Sequence, residues 1–121
     1  MIDFENKDFL KLKQVDYISS IDPLLIPEEE VIGCYKTVRD SIVFTDRRII
    51  AINVQGLTGK RKDFTSLPYS KIQLYSVETA GIIDLDSELH LWFSGIGIIR
   101  FEFTAGSNIV EIGRAIAAYL L

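Results

Sequence analysis

The feature that most constrains the fold is a series of short segments between residues 30 and 104 in which apolar and polar side chains alternate. Alternation with a period of two predicts β-strands, because successive side chains of a strand point to opposite faces of a sheet. Turn-forming pairs such as Ala80-Gly81 and Ser94-Gly95 separate the segments. We predict seven antiparallel strands, over residues 30–36, 41–45, 47–55, 62–69, 70–79, 84–93 and 97–104.

After these strands the period changes to that of an amphipathic helix. One face of that helix carries Ile109, Ile112, Ile116 and Leu120. Asn108, followed three residues later by Glu111, has the spacing of a capping box. We therefore predict a C-terminal α-helix packed on the sheet through its isoleucine stripe.

The first 22 residues are less regular. Apolar residues recur there near helical spacing, and Pro23 blocks continuation of a helix. They are Phe9, Leu10, Leu12, Val15, Ile18 and Ile21. We predict a short amphipathic helix within residues 7–20, followed by an extended connector. The 121 residues then divide into a partly helical extension, residues 1–23, and one domain, residues 24–121.

The segment 47–55 contains an unbroken apolar run from Ile49 to Ile52. A sheet with one face in water should be polar on that face, so this run implies a cover on both faces. Cys34 lies in a similar apolar pattern, and we expect it to be a buried small hydrophobe rather than a reactive thiol.

Charge is divided unevenly along the chain. Residues 31–72 carry eight Lys and Arg against three Asp, a formal charge of +5, while the remainder carries −9 and the whole chain −4. Such a division suits contact with an oppositely charged partner or with a second copy. An acidic chain is a poor candidate for binding nucleic acid or an anionic membrane. The N-terminal MIDFENKDF lacks the basic and apolar regions of a secretion signal, so we expect a cytoplasmic protein.

Several motifs resemble the bacterial PH-like (pleckstrin homology-like) domain family. They are RDSIVFTDRRII, QGLTGKR, SLPYSKI, SVETAG and DLDSEL, and the resemblance covers residues 24–121. It implies a mainly β fold, a barrel or sandwich of seven antiparallel strands in two near-orthogonal sheets capped by a C-terminal helix. It also implies a cytosolic location and ring-shaped homo-oligomers, and it implies no established enzymatic activity or ligand.

Our first functional hypothesis is a non-enzymatic binding or scaffold module that assembles with copies of itself, and that could also bind another protein. Its basic row would be Arg47, Arg48, Lys60 and Arg61, matched by acidic residues of the next subunit. The predicted interface residues are Arg47, Arg48, Ile50, Ile52, Asp84, Asp86 and Glu88.

The alternative is a peripheral binder of anionic lipid headgroups or phosphate-containing ligands. The candidate residues are Lys36, Arg39, Lys60, Arg61 and Lys62. Two features disfavour it. The first strand-to-strand loop has about three residues, which is short for enclosing a headgroup, and the GKRK turn lacks the following helix of a P-loop.

Metal and catalytic chemistry are disfavoured by spacing. Asp84, Asp86, Glu88 and His90 alternate along one strand, where residues two apart are separated by about 6.5–7 Å, too far for one ion to bind all four. Asp84 and Asp86 could share a hard cation only with a loop oxygen. No triad or paired-acid signature is present, so we expect no metal, no cofactor and no enzyme.

Overall fold

The structure, a computed structural model, describes residues 2–4, 8–56, 61–79, 86–104, 107 and 109–120. The strands are β1 Phe9–Val15, β2 Val31–Lys36, β3 Asp40–Thr45, β4 Arg48–Gln55, β5 Arg61–Pro68, β6 Ile72–Glu78, β7 Ser87–Phe93 and β8 Gly97–Phe103. Two 3₁₀ turns span Ser19–Leu24 and Tyr69–Lys71, and the helix α1 spans Ile109–Leu120.

The eight strands form one curled mixed sheet in the order β5-β4-β3-β2-β1-β8-β7-β6. The mainly β class and the C-terminal helix are confirmed, but the prediction of seven strands in two separate sheets is wrong. All neighbouring strands are antiparallel except β1 and β8, which are parallel. The additional strand is β1, which joins β2–β5 to β6–β8.

The predicted N-terminal helix is wrong, because residues 9–15 form a bent strand in the middle of the sheet. Phe9 pairs with Phe101 of β8, and Val15 pairs with Cys34 of β2. Between them the register shifts, and Lys11 has a φ of 59°. An irregularity of this kind puts an extra residue between two side chains of the same face. Phe9 and Leu12 are therefore both fully buried at a spacing of three, which resembles the period of a helix.

The main core lies on the concave side of the sheet and is rich in aromatic side chains. Tyr35 packs edge-on against Phe103 with ring centroids 4.9 Å apart, and Phe9 stacks on Phe101 at 5.1 Å. Helix α1 contributes Ile109, Ile112 and Ile116, all buried as its predicted stripe requires. Among the described residues no helix is long and apolar enough to cross a membrane.

A second, smaller core covers the opposite face of β2, β3 and β4. Its fully or almost fully buried members are Ile21, Cys34, Val43, Ile50 and Ile52. The cover comes from the same chain, since Val15, Ile18 and Leu25 pack against this cluster around the first 3₁₀ turn. The unbroken apolar run of β4 is thus explained within one chain.

Two local irregularities shape β5 and β6. Pro68, which lacks a backbone N–H, ends β5, and β5 is an edge strand of the sheet. In β6 the register shifts between Ile72, which is buried, and Leu74, which is exposed. The proposed cap at Asn108 lies outside the described residues.

Candidate functional site

Four of the five predicted anion-binding cations lie at one end of the sheet. They are Lys36, Arg39, Arg61 and Lys62, and we call them the basic end. All four are exposed. The Arg39 Nη1 donates to the carbonyl oxygen of Gly56 at 3.4 Å, which links the β2–β3 turn to the end of β4. The fifth cation, Lys60, lies outside the described residues.

The predicted basic row is divided between the two ends of β4. Arg48 is opposite Pro68, whereas Arg61 is opposite Gln55 at the far end of the same ladder. Seven residues of extended chain separate the two pairs, a distance of about 23 Å. Arg47 stays with Arg48, so neither shares a surface with the basic end.

Arg48 is held inside the chain by a network around Glu29. Its Nε and Nη2 each donate to Glu29 at 2.9 Å, and its Nη2 also donates to the carbonyl oxygen of Leu24 at 2.6 Å. The Thr45 hydroxyl donates at 2.7 Å to Glu29 Oε2, the oxygen that also accepts from Arg48 Nε. Arg48 therefore fastens the connector before β2 onto β3 and β4, which is a structural role.

The Glu29 carboxylate is almost completely buried, with 1% of its side chain exposed. Burial opposes its ionisation, but the hydrogen bonds from Arg48, Thr45 and the Ile26 N–H, together with the charge of Arg48, outweigh that effect. The pKa of Glu29 therefore lies below its ordinary value. The carboxylate is ionised in the neutral range and paired with Arg48.

Ile50 and Ile52, assigned to a subunit interface by the sequence, are 0% and 3% exposed. Residues 15–25 of the same chain cover them. The sequence assigned them to an interface because an apolar face of a sheet needs a cover. Since the chain supplies that cover itself, Ile50 and Ile52 give no support to a subunit interface.

The convex side of β6, β7 and β8, which we call the β6–β8 face, carries an exposed apolar row. Leu74 is opposite Trp92 across the β6–β7 ladder, and Trp92 is opposite Ile98 across the β7–β8 ladder. Their exposed fractions are 60%, 37% and 58%. Strand alternation puts Leu89, Leu91 and Phe93 in the core and leaves this row outside. We call Leu74, Trp92 and Ile98 the apolar row.

Polar side chains continue the β6–β8 face beside that row. His90 is opposite Ser76 and Arg100, while Glu88 is opposite Glu78 and Glu102. Glu88 and His90 therefore lie on the outer face of the sheet, as their alternation with the buried Leu89 and Leu91 requires.

The edge of the β6–β8 face next to β1 carries an ion pair. Asp86 accepts a hydrogen bond from Lys11 Nζ at 3.0 Å, which raises the pKa of Lys11. Asp84 lies outside the described residues.

Three ligand-type side chains converge on this face. One donor atom each from Glu78, Glu88 and His90 lies within 4.8 Å of the others. Spacing along a single strand does not reveal Glu78 as a third member, because Glu78 lies on the neighbouring strand β6. The connection after β6 is too long for its turn type to fix the register, so no local signal pairs Glu78 with Glu88.

A cleft of about 470 Å³ lies elsewhere, between β5 and the β7–β8 turn. Its apolar wall is formed by Ile2, Phe4, Leu67 and Ile96. The described residues that line it include no histidine, cysteine or cation. The cleft offers apolar surface without a recognisable reactive group.

Cys34 and Tyr35 are buried side by side in β2. Burial raises the pKa of the Cys34 thiol and raises the pKa of Tyr35 to about 12. Both groups are therefore protonated at neutral pH, and the expectation of an inert, buried Cys34 agrees with its 1% exposure.

The sequence of this chain is similar to those of known proteins. A family model described as bacterial PH domain matches residues 3–120. The chain is 45% identical over 97 residues to the uncharacterized protein YjqA of Bacillus subtilis (strain 168), covering 78% of each.

Solved structures of pleckstrin-homology domains are similar to this chain in both sequence and fold. A protein with a pleckstrin-homology domain from Shewanella loihica PV-4 superposes with a TM-score of 0.76 at 35% identity, covering 93% of this chain and 99% of that one. A pleckstrin homology domain from Shewanella amazonensis SB2B gives 0.61 at 43% identity, covering 85% and 84%. The chain belongs to the bacterial PH domain family.

Proposed function

We propose that this chain is a non-enzymatic module that assembles with copies of itself in a head-to-tail arrangement. The observation that carries the proposal is the apolar row, three large side chains that stand together in solvent on the β6–β8 face. Contiguous exposed apolar surface next to polar residues is typical of protein–protein interaction sites.

The basic end of a second copy is the occupant that best fits this face. Val38, between Lys36 and Arg39 in the β2–β3 turn, is 99% exposed and gives the basic end an apolar tip. The β6–β8 face offers the apolar row as a seat for that tip. It also offers the carboxylates of Glu78 and Glu88 to the surrounding cations.

The two surfaces are different parts of the chain, so their contact would be heterologous. A heterologous contact repeats from copy to copy and closes into a ring when the rotation between copies permits. This arrangement keeps Glu88 from the acidic part of the predicted interface, adds Glu78, and replaces Arg47, Arg48, Ile50 and Ile52 with the basic end.

Light scattering during size-exclusion chromatography tests the proposal. We expect an oligomer at tens of micromolar, and we expect Trp92→Asp or Val38→Asp to give monomers. Val110→Asp is the matched control, because Val110 is also an exposed apolar residue, 54% exposed, but lies on α1. A monomeric wild-type protein would overturn self-assembly.

Mixing the two interface variants tests the head-to-tail geometry. Trp92→Asp keeps its basic end and Val38→Asp keeps its β6–β8 face. A mixture should therefore form a one-to-one heterodimer held by a single contact, which cannot grow further. A face-to-face contact between two β6–β8 faces would instead leave Val38→Asp oligomeric on its own, and mixing it with Trp92→Asp would give no new species.

A second candidate, binding of anionic lipid or phosphate, is favoured by the spatial grouping of the basic end. Within the described ranges no ion pair involves its four cations. Co-sedimentation with phosphatidylserine vesicles at low salt, lost in Lys36→Glu and Arg61→Glu, would support it. Failure of the wild-type protein to sediment would exclude it.

A further inference from the structure

The β6–β7 ladder assembles three metal-ligand side chains that are distant in sequence. Glu88 and His90 alternate on β7 and so point to the same face, and Glu78 of β6 is directly opposite Glu88. Side chains opposite each other in an antiparallel pair are close enough to share one metal ion. Glu88 and His90 are two apart on β7, but their long side chains bring His90 Nε2 within 3.8 Å of a Glu88 oxygen. The spacing argument against four ligands from β7 alone therefore does not apply to this cluster, which takes only two residues from β7.

The ring nitrogen of His90 points into this cluster without a hydrogen bond. Its Nε2 is shielded from solvent and has no hydrogen-bond partner in the part of the chain that the structure describes. It lies 3.8 Å from an oxygen of Glu78 and 3.8 Å from an oxygen of Glu88. Both distances exceed the range of an N–H···O bond. A buried imidazole nitrogen between two carboxylates is an arrangement that a cation would satisfy.

The distances are close to those of a bound ion. Ligand atoms about 2.0–2.1 Å from a tetrahedral zinc are about 3.3 Å from each other. The two 3.8 Å separations from His90 Nε2 need to shorten by about half an ångström, and the separation between the Glu78 and Glu88 oxygens, which is within 4.8 Å, by up to about 1.5 Å. Rotation of side chains on a strand surface can supply changes of this size.

The donor set favours a particular class of metal. One imidazole nitrogen with two carboxylate oxygens suits Zn²⁺ and similar transition ions, whereas Mg²⁺ and Ca²⁺ prefer oxygen ligands alone and more of them. Three protein ligands leave a fourth position for water. A polar cleft of about 210 Å³, lined by Glu78, Thr79, Asp86 and Glu88, adjoins the cluster and has room for that water.

The surrounding charges are compatible with a divalent cation. Arg100 Nε lies 3.8 Å from the Glu88 oxygen that is not nearest His90, so this carboxylate keeps one oxygen for the ion. Lys11 is paired with Asp86, outside the three ligands. Two carboxylates, one guanidinium and one divalent ion together leave a single positive charge on a solvent-facing surface.

We propose that Glu78, Glu88 and His90 form a binding site for a divalent transition metal of the Zn²⁺ class. This site lies within one chain and does not require self-assembly, but Glu78 and Glu88 are also the carboxylates that the proposed assembly offers to the cations of a second copy, so a bound ion would compete with that contact.

Isothermal titration of the full chain with ZnCl₂ tests the site. We expect one ion per chain, a raised melting temperature, and no comparable response to Mg²⁺ or Ca²⁺. His90→Ala and Glu78→Gln each remove a direct ligand. Loss of an outer-shell partner weakens metal binding by about 10- to 100-fold, and loss of a direct ligand should weaken zinc binding by at least that factor.

Asp86→Asn is the matched control, because Asp86 lines the same cleft but is not one of the three ligands. It should bind zinc like the wild-type protein. Circular dichroism checks that each variant is folded, and His90 is the only histidine of the chain, so its NMR signals report directly on coordination. Absence of binding at about 100 μM Zn²⁺, or binding that His90→Ala leaves unchanged, would overturn the proposal and leave a His–Glu ion-pair cluster.

Discussion

Glu28 occupies a backbone conformation that suits glycine. Its φ is 72°, and it follows Pro27 in a turn closed by the Glu29 N–H and the Ile26 carbonyl oxygen, 3.1 Å apart. This is the third position of a type II turn, where glycine is preferred. A residue with a side chain loses about 1–2 kcal/mol of folding stability in the left-handed region. Glycine avoids this strain, but its unfolded chain has more conformational freedom, which lowers folding stability by about 0.5–1 kcal/mol.

We therefore predict that Glu28→Gly raises the free energy of unfolding by about 0.5–1 kcal/mol, measured by urea denaturation. Glu28→Ala is the control and should show no such gain, because alanine also has a Cβ atom. Destabilisation by glycine would contradict the turn assignment.

Glu29 should make stability depend on acidic pH. Its pKa is lowered in the folded chain, so its contribution is present above the ordinary value of 4.5 and is lost as pH falls through the lower folded value. Breaking a buried ion pair costs about 3–5 kcal/mol, and partial exposure of Arg48 reduces this to about 2 kcal/mol for Glu29→Gln at pH 7.

Urea midpoints at pH 7 and near pH 3.5 measure this effect. The difference between wild type and Glu29→Gln should shrink at the lower pH, whereas Glu30→Gln, an exposed neighbour, should differ little from wild type at either pH. An unchanged difference at low pH would assign the loss to packing instead of charge.

Strand β1 should be as important to stability as any central strand. Phe9 is fully buried against Phe101, and Leu10, its neighbour in sequence, is 49% exposed. We predict that Phe9→Ala lowers the free energy of unfolding by about 3–5 kcal/mol. Leu10→Ala should change it by less than about 0.5 kcal/mol. Similar small effects at both positions would show that residues 9–15 are not part of the core.

The first 3₁₀ turn should control access to Cys34. Ile21 is fully buried over the cluster that contains Cys34, whose thiol is 1% exposed and has a pKa raised by burial. We predict that Ile21→Ala speeds modification of Cys34 by a thiol reagent about tenfold or more, because a weakened cover opens more often. Ile26→Ala, at a half-exposed position, should leave the rate unchanged. Equal rates in both variants would show that opening of this segment does not limit access to the thiol.

Elements with an unbroken period were predictable, and β1 was not. The alternation of Leu89, Leu91 and Phe93 and the stripe of Ile112 and Ile116 each reflect one buried face of a regular element. The bulge at Lys11 instead places two core residues three apart, so periodicity alone indicates a helix. Only the pairing with β8, far away in sequence, determines that the segment is a strand.

The candidate sites were also predictable only where they follow from alternation within one strand. The outward positions of Glu88 and His90 follow from alternation, but the apolar row and the partnership with Glu78 depend on the register between strands. Likewise, the cations of the basic end come from two different hairpins, and the sequence grouped Arg61 with Arg47 and Arg48 because it could not show that they occupy opposite ends of β4.

For the whole molecule, separation of charge predicts how assembly responds to salt. The basic end and the acidic part of the β6–β8 face attract each other in a head-to-tail contact, and salt screens charges at exposed surfaces over about 10 Å at 0.1 M. We predict that raising NaCl from about 50 mM to about 500 mM shifts the assembly toward smaller species in sedimentation velocity. Assembly that strengthens with salt would indicate a contact dominated by the apolar row.

The position of β1 between β2 and β8 also determines the order in which the sheet can form. Strands β2 to β5 are consecutive neighbours and can pair as local hairpins, whereas one edge of β1 pairs with β8, about 90 residues later in the chain. During synthesis, that edge keeps unpaired backbone groups until β8 has been made. Such long-range pairing raises the contact order and slows folding. An open strand edge in the interval is a point at which nascent chains can associate wrongly.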